Sequence, residues 1–289
     1  MTGWLWASPW ILGFLIFTLG PMLTSLYYSF TDYPLLSPPT WTGLGNYRMM
    51  VSEDPLALQG LKVTTVYAAV SVPLSLVLGL AIAILLNQEI VAMPYWRTLY
   101  YLPSVVSGVA VAMMWSWIFN SEFGVANWLL RMVGVRGPNW LTDPHWALPA
   151  IIIMSVWGFG GSMIIYLAGL QSIPTVLYEV ALIDGAGTWH RFRHVTIPML
   201  SPTLFFTLIM GLIGALQTFT PAYIMTGGGP RNATLFFMLH LYRNAFQWLK
   251  MGYASALAWV LFAYILILTL LVVRSSPGWV HYEGEVRRR

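Results

Sequence analysis

Residues 178–202, YEVALIDGAGTWHRFRHVTIPMLSP, concentrate Glu179, Asp184, His190, Arg191, Arg193 and His194 between long stretches that contain no Asp, Glu, Lys or Arg. Several chemistries need such groups. His190 and His194 stand at i and i+4, the spacing of a helical metal pair. They lack a nearby acidic third ligand, and Arg191 and Arg193 between them repel a cation, so an exposed basic helix face is the better account. The lysines, Lys62 and Lys250, sit in no phosphate-loop context, and the glycines of TGGGPRNAT, 226–234, are followed by neither the lysine nor the helix that a phosphate cradle requires. That run reads as a turn closing the fifth apolar interval. The tripeptide Asn232-Ala233-Thr234 fits a glycosylation acceptor, a match that is common by chance. Ser162, after Gly160-Gly161, has no histidine within an apolar segment to activate it as a nucleophile. Catalysis is therefore not what this polar stretch is built for.

The elements around it belong to a bilayer. Of the 289 residues 58% are hydrophobic and 8% charged, against about 25% charged in a soluble domain. Fifteen Trp and fifteen Tyr supply the aromatic residues that membrane interfaces favour. The absence of cysteine excludes disulfides, thiolate metal sites and cysteine nucleophiles. The net charge of +4 includes Arg287, Arg288 and Arg289, a membrane-flanking tail rather than a nucleic-acid surface. The first apolar run lacks a basic leader and is too long for a signal peptide, and a longer cytosolic segment is expected ahead of it.

A charge at the centre of a membrane helix costs roughly 2.5–3.5 kcal/mol, so charge-free intervals mark the spans. Six occur, at residues 1–31, 63–88, 98–121, 144–178, 194–230 and 251–273. Each exceeds the roughly 20 residues needed to cross the hydrocarbon. Prolines near the ends of the two longest, Pro149, Pro174, Pro202 and Pro221, favour one helix per interval. The expectation is an all-α membrane protein with six transmembrane helices; the alternating ten-residue segments of a β-barrel are missing. Six spans put both termini on one side, and the basic residues divide seven and seven between the two faces, so charge alone does not orient the chain. No span carries an interior charge, which disfavours proton or sodium coupling and suits a neutral polar cargo.

Between the fourth and fifth intervals two short helices are expected. Ser172 caps a helix that Pro174 begins. Val176, Leu177, Val180, Ala181 and Ile183 form its apolar face beside Glu179 and Asp184. Gly185 and Gly187 end it, since glycine accepts the left-handed conformation. Thr188 caps a second helix carrying Trp189, Phe192 and Val195, which Pro198 stops. Acids in the first half point to a protein partner more than to a lipid surface, where lysines prevail.

These residues resemble a known family. Glu179-Val180-Ala181, Asp184-Gly185-Ala186, Phe192 and Ile197-Pro198 are similar to the EAA loop of binding-protein-dependent ABC importer permeases. FTDY at 30–33, GLGNY at 43–47, LQSIP at 170–174 and MTGGGP at 225–230 extend the likeness, in order, to the sugar-import branch related to the maltose permeases. Val180 stands in place of the usual Ala and Ile197 in place of Leu, and neither change disrupts the apolar face.

The resemblance implies a type I importer permease core, a single transmembrane domain over 1–289 with the coupling loop 171–200 inside it. The implied partners are a second permease subunit, an ABC ATPase dimer, an extracytoplasmic solute-binding protein and a sugar. The chain itself is then not an enzyme and holds no cofactor; ATP and magnesium belong to the ATPase. The implied location is a prokaryotic inner membrane, with the loop and both termini cytoplasmic and residues 32–60 outside. Glu179 is implied to contact a basic ATPase side chain. Gly185 forms the elbow, Val180, Ala181 and Ile183 the packed face, and Asp184, Ala186, Phe192 and Pro198 complete the coupling set. For a cargo path, Ser162, Tyr166, Gln217, Thr218 and Tyr223 are the polar candidates. The glycines of GFGGS, 158–162, serve helix packing equally well, and Trp157 is one aromatic able to stack on a sugar ring. The alternative is a stand-alone secondary transporter or channel for a neutral polar solute.

Overall fold

The structure is a computed structural model that describes residues 2–88 and 91–281, with side chains described from Trp6 onward; the terminal arginines 287–289 lie outside the described residues. The elements in chain order are α1 (Thr2–Phe14), α2 (Gly20–Ser29), β1 (Thr31–Asp32), β2 (Thr40–Trp41), α3 (Gly45–Ser52), α4 (Pro55–Leu86), α5 (Met93–Val105), α6 (Gly108–Ile118), α7 (Val125–Met132), α8 (Ala147–Val156), α9 (Gly160–Gln171), α10 (Thr175–Ile183), α11 (Thr188–Arg191), α12 (Ile197–Leu216), α13 (Phe237–Tyr242) and α14 (Met251–Ser275).

Among the described residues four helices are long and apolar enough to cross a bilayer unbroken: Trp6–Ser29, Pro55–Leu86, Thr188–Leu216 and Met251–Gly278. The third and fourth intervals form bent pairs instead. Helices α5 and α6 meet at 96°, and α8 and α9 at 41°. Counted as one span each, the pairs complete the six expected spans, but each is built of two helices rather than one. At the first, Val106 and Ser107 adopt extended ψ values of 138° and 134°, which swings the chain between two helices. Pro103, which has no amide proton to give, sits in the last turn of α5.

Two prolines inside the long helices, Pro21 and Pro198, are absorbed by wide π-turns. The turns at Leu15–Leu19 and Phe192–Thr196 close with the amides of Gly20 and Ile197 donating to the carbonyls of Leu15 and Phe192, immediately before Pro21 and Pro198. A proline lacks the amide proton and clashes with the carbonyl four residues back. Widening the preceding turn removes that conflict without ending the helix.

The chain divides into two compact units. The first comprises Met1–Lys62 and Leu235–Tyr264. Its β-hairpin pairs Thr31 with Trp41 and Asp32 with Thr40. The GLGNY motif locks the end of α2. The buried Asn46 amide donates to the carbonyls of Ser29 and Thr31 at 2.9 and 2.8 Å, and the Tyr47 hydroxyl to Ser29 Oγ at 2.8 Å. Asp54 caps α4, its Oδ1 accepting the amides of Leu56 and Ala57 at 2.9 and 3.3 Å. Its Oδ2 accepts His240 Nε2 at 2.7 Å and the Tyr253 hydroxyl at 2.6 Å. Partial burial works against this charge, but the bonds from Tyr253 and His240 prevail and hold the carboxyl below its ordinary value.

The second unit comprises Val63–Thr234 and Ile265–Arg289. Its core gathers Ala83 and Leu86 of α4, Met163, Tyr166, Leu167 and Leu170 of α9, Ile173, and Leu200 of α12. In hydrocarbon an apolar side chain gains little by leaving lipid, so close approach and polar bonds decide which helices touch. Both operate here. A Cβ on Gly160 would stand 2.5 Å from the Tyr100 carbonyl oxygen, so only glycine lets α9 approach α5 this closely. The fully buried Tyr166 hydroxyl meets Thr207 Oγ1 at 2.7 Å, joining α9 to α12. The TGGGP run forms the turn that closes the fifth interval, with left-handed Gly227 and Gly228, and Thr234 Oγ1 donating to the Gly229 carbonyl at 2.6 Å.

Candidate functional site

The polar stretch folds into a helical hairpin, and its geometry follows from two glycines and a proline. Pro174 is the N-cap residue of α10, and the helix ends with Asp184 at its C-cap. Gly185 follows with φ of +76°, the left-handed value that a side chain resists. The Gly185 amide donates to the Leu182 carbonyl at 3.0 Å and the Ala186 amide to Ala181 at 2.8 Å, the paired bonds of a Schellman ending. Ser172 does not cap α10 as expected; its hydroxyl turns back to the Gly169 carbonyl at 2.8 Å and finishes α9. Thr188 is likewise the first helical residue, with Gly187 at the N-cap.

Pro198 does not stop the second helix. Residues Thr188–Leu216 form one uninterrupted 29-residue helix through the π-turn, so the second arm of the hairpin is the beginning of the fifth span. The two arms are clamped together by Tyr178 and Thr196, whose hydroxyls lie 3.0 Å apart. Neither residue was singled out from the sequence, and a contact across 18 positions leaves no local signal. The rings of Trp189 and Phe192 pack at 5.4 Å, and those of His190 and His194 stack at 4.5 Å. Among the described residues no group of three metal-ligating side chains forms around this pair.

The first arm turns its side chains outward. Glu179, Val180, Ile183, Asp184 and Gly185 are exposed, while Ala181, Ala186, Phe192 and Pro198 are half-buried. Ile183 is 85% exposed, and Val176, Leu182 and Trp189 extend the bare apolar surface. This face carries acids at Glu179 and Asp184 beside aliphatic side chains, a composition suited to a protein surface bearing basic groups.

The second site is a cavity of about 400 Å³ within the second unit. Tyr67, Ser71 and Ser75 of α4 line it, with Ser155, Gly158, Phe159 and Ser162 around the α8–α9 bend, and Phe206, Thr207, Met210, Gly214 and Thr218 along α12 and its end. The bend itself opens this wall. Ser155 and Ser162 donate to their own helix at the carbonyls of Ile152 and Phe159, at 2.7 and 2.8 Å. With the proton so engaged, what either oxygen has left to offer a neighbour is acceptance. No lining residue is charged.

Of the residues selected for a cargo path, Ser162 and Thr218 line this cavity. Tyr166 lies in the packed core on Thr207. Gln217 is the exposed C-cap of α12. Tyr223 sits in the π-turn Ala222–Thr226, its ring stacked on Phe219 at 5.2 Å. Ser71, Ser75 and Ser155 were missed, because single serines on apolar helices announce no shared wall until the helices are packed.

Residues 71–279 match the family of binding-protein-dependent transport system inner membrane components. The chain is 46% identical over 289 residues to the probable ABC transporter permease protein YesP of Bacillus subtilis, covering 99% of this chain and 93% of that one. It is 37% identical over 279 residues to the lactose transport system permease protein LacF of Rhizobium radiobacter, covering 94% and 92%. Its fold is similar to a chain of a bacterial alginate ABC transporter crystallised with an alginate pentasaccharide-bound periplasmic protein, with a TM-score of 0.78, 25% identity and coverage of 93% and 91%.

Proposed function

Because the chain belongs to the family of binding-protein-dependent transport system inner membrane components, we propose that it is one membrane subunit of an ATP-driven importer for sugars or oligosaccharides. A second permease subunit, an ATPase dimer and an extracytoplasmic solute-binding protein complete the machine, and ATP with its magnesium is bound and hydrolysed on the ATPase. The hairpin and both termini face the cytoplasm. The observation that carries the reading is the hairpin itself: an exposed apolar and acidic arm clamped to a second arm that continues without a break into the fifth span. An ATPase seated on the first arm moves the Thr188–Leu216 helix directly, and that helix forms one wall of the hydroxyl-lined cavity.

The cavity accounts for the cargo. A sugar presents hydroxyl groups that need acceptors, and carbon faces that pack on aromatic rings. Ser71, Ser75, Ser155, Ser162 and Thr218, together with Tyr67, Phe159 and Phe206, offer both. Relatives named for lactose and for trehalose and maltose transport support the class. A stand-alone transporter is disfavoured by the family.

The test is uptake of labelled oligosaccharide into liposomes. The complete complex with binding protein and ATP takes it up, and this chain alone does not; uptake by the chain alone overturns the proposal. Glu179→Lys combined with Gly185→Pro should abolish both transport and stimulation of the ATPase. Survival of both activities would remove the hairpin from the coupling path.

A further inference from the structure

Helix α7 is inside out for a protein surface in water. Its uncharged polar residue Asn127 is buried, at 3% exposure, whereas Trp128, Leu129 and Met132 are 54%, 53% and 64% exposed. Phe123 and Val133, on either side of the helix, are exposed at 71% and 73%. The inversion is held in place. Asn127 Nδ2 donates to the carbonyls of Ser121 and Pro138 at 3.1 and 3.2 Å, and its Oδ1 accepts Trp140 Nε1 at 2.8 Å. A Cβ at Gly137 would run into the Asn127 carboxamide, so the pin also fixes the residue opposite it. The Trp140 ring then packs on Phe119 at 5.2 Å, and Phe119 on Trp115 of α6 at 5.0 Å. The apolar face of α7 cannot roll inward without breaking this chain of contacts.

We propose that α7 lies in the headgroup–acyl boundary of the bilayer, on the leaflet opposite the coupling hairpin, and that phospholipid covers its exposed face. The inference needs only that the chain is embedded in a membrane and does not depend on the cargo or on the ATPase. Two observations favour lipid over a protein occupant. The first is continuity with the membrane segment: α6 ends at Ile118, a hydrogen-bonded turn intervenes, and α7 begins at Val125 and packs on α6. The second is charge placement. Arg131 donates through Nη2 to the Ser121 and Glu122 carbonyls at 3.4 Å, which holds a cation beside the apolar face. Tryptophan and aliphatic side chains flanked by arginine make the composition of a helix lying in the interface. Read as one span, the bent pair α8–α9 lies between this segment and the hairpin and places the two on opposite faces of the membrane.

The chain has no cysteine, so single labels can be placed without background from it. Trp128→Cys, Leu129→Cys and, in the exposed polar loop, Asn139→Cys would carry an environment-sensitive fluorophore, attached before the transporter complex is reconstituted in phospholipid nanodiscs. Spin-labelled lipids bearing the quencher near the headgroup should quench positions 128 and 129 severalfold more than 139, with iodide in the buffer showing the opposite order. Quenching of 128 and 129 by iodide but not by lipid overturns the proposal in favour of an aqueous face. Shielding from both quenchers that appears only when the second permease subunit is present overturns it in favour of a protein contact. Two independent positions guard against loss of folding at either one.

Discussion

Gly185 and Asp54 are the two positions where one atom's placement has the widest consequence. Gly185 holds φ at +76°, which costs an L-residue roughly 1–2 kcal/mol and which proline cannot reach. Gly185→Ala is therefore expected to retain partial coupling and Gly185→Pro none, with ATPase stimulation by loaded binding protein as the readout; full activity of both variants would show that the elbow does not matter. Asp54 joins the start of α4 to His240 and Tyr253 through four accepted hydrogen bonds. Its folded-state value lies below the ordinary 3.8, so its contribution is complete above that value and is lost as pH falls through the lower folded one. Asp54→Asn should cost about 1–3 kcal/mol near neutral pH, the range for a buried group whose charged partner is lost. It should also flatten the acid limb of a thermal-unfolding profile below the ordinary carboxylate value. An unchanged acid limb would assign that limb to other carboxylates.

At the scale of elements, the continuity of hairpin and span makes a mechanical prediction. Spin labels at Trp189 and Phe206, both on the Thr188–Leu216 helix, should keep one separation in the nucleotide-free and ATP-bound complexes, measured by dipolar spectroscopy. A separation that changes with nucleotide would place a hinge at the π-turn. Tyr178→Phe removes the clamp to Thr196 and should weaken the joining of the two arms by about 0.5–1.5 kcal/mol, lowering transport per ATP hydrolysed more than hydrolysis itself. This continuity is what the sequence concealed. Pro198 carries the ordinary mark of a helix end, and a π-turn that absorbs it has no residue signature. The span intervals, by contrast, were legible because excluding charge from hydrocarbon is costly enough to stamp the composition. The elbow was legible too, since only glycine reaches its φ easily. The α5–α6 bend and the Tyr166–Thr207 bond were not, because each depends on where helices distant in sequence meet.

For the whole molecule, the exposed arm of the hairpin is an incomplete object. Val180 at 51% and Ile183 at 85% exposure, with Glu179 beside them, form a surface of a kind that soluble faces avoid and that marks an interaction site. If an ATPase covers it, Glu179 loses solvent on docking, and its charge is then worth more than on an open surface, because a desolvated ion pair is screened less. Glu179→Lys should then reduce transport far more than Glu179→Gln, since reversal adds repulsion where neutralisation only removes attraction. Pairing Glu179→Lys with a basic-to-acidic change at the facing position of the ATPase should restore binding-protein-stimulated hydrolysis. Raising salt should weaken the native and the swapped pair alike while leaving Glu179→Gln unaffected. Equal losses in the lysine and glutamine variants would instead place Glu179 at the rim of the contact, leaving the aliphatic face to transmit the movement alone.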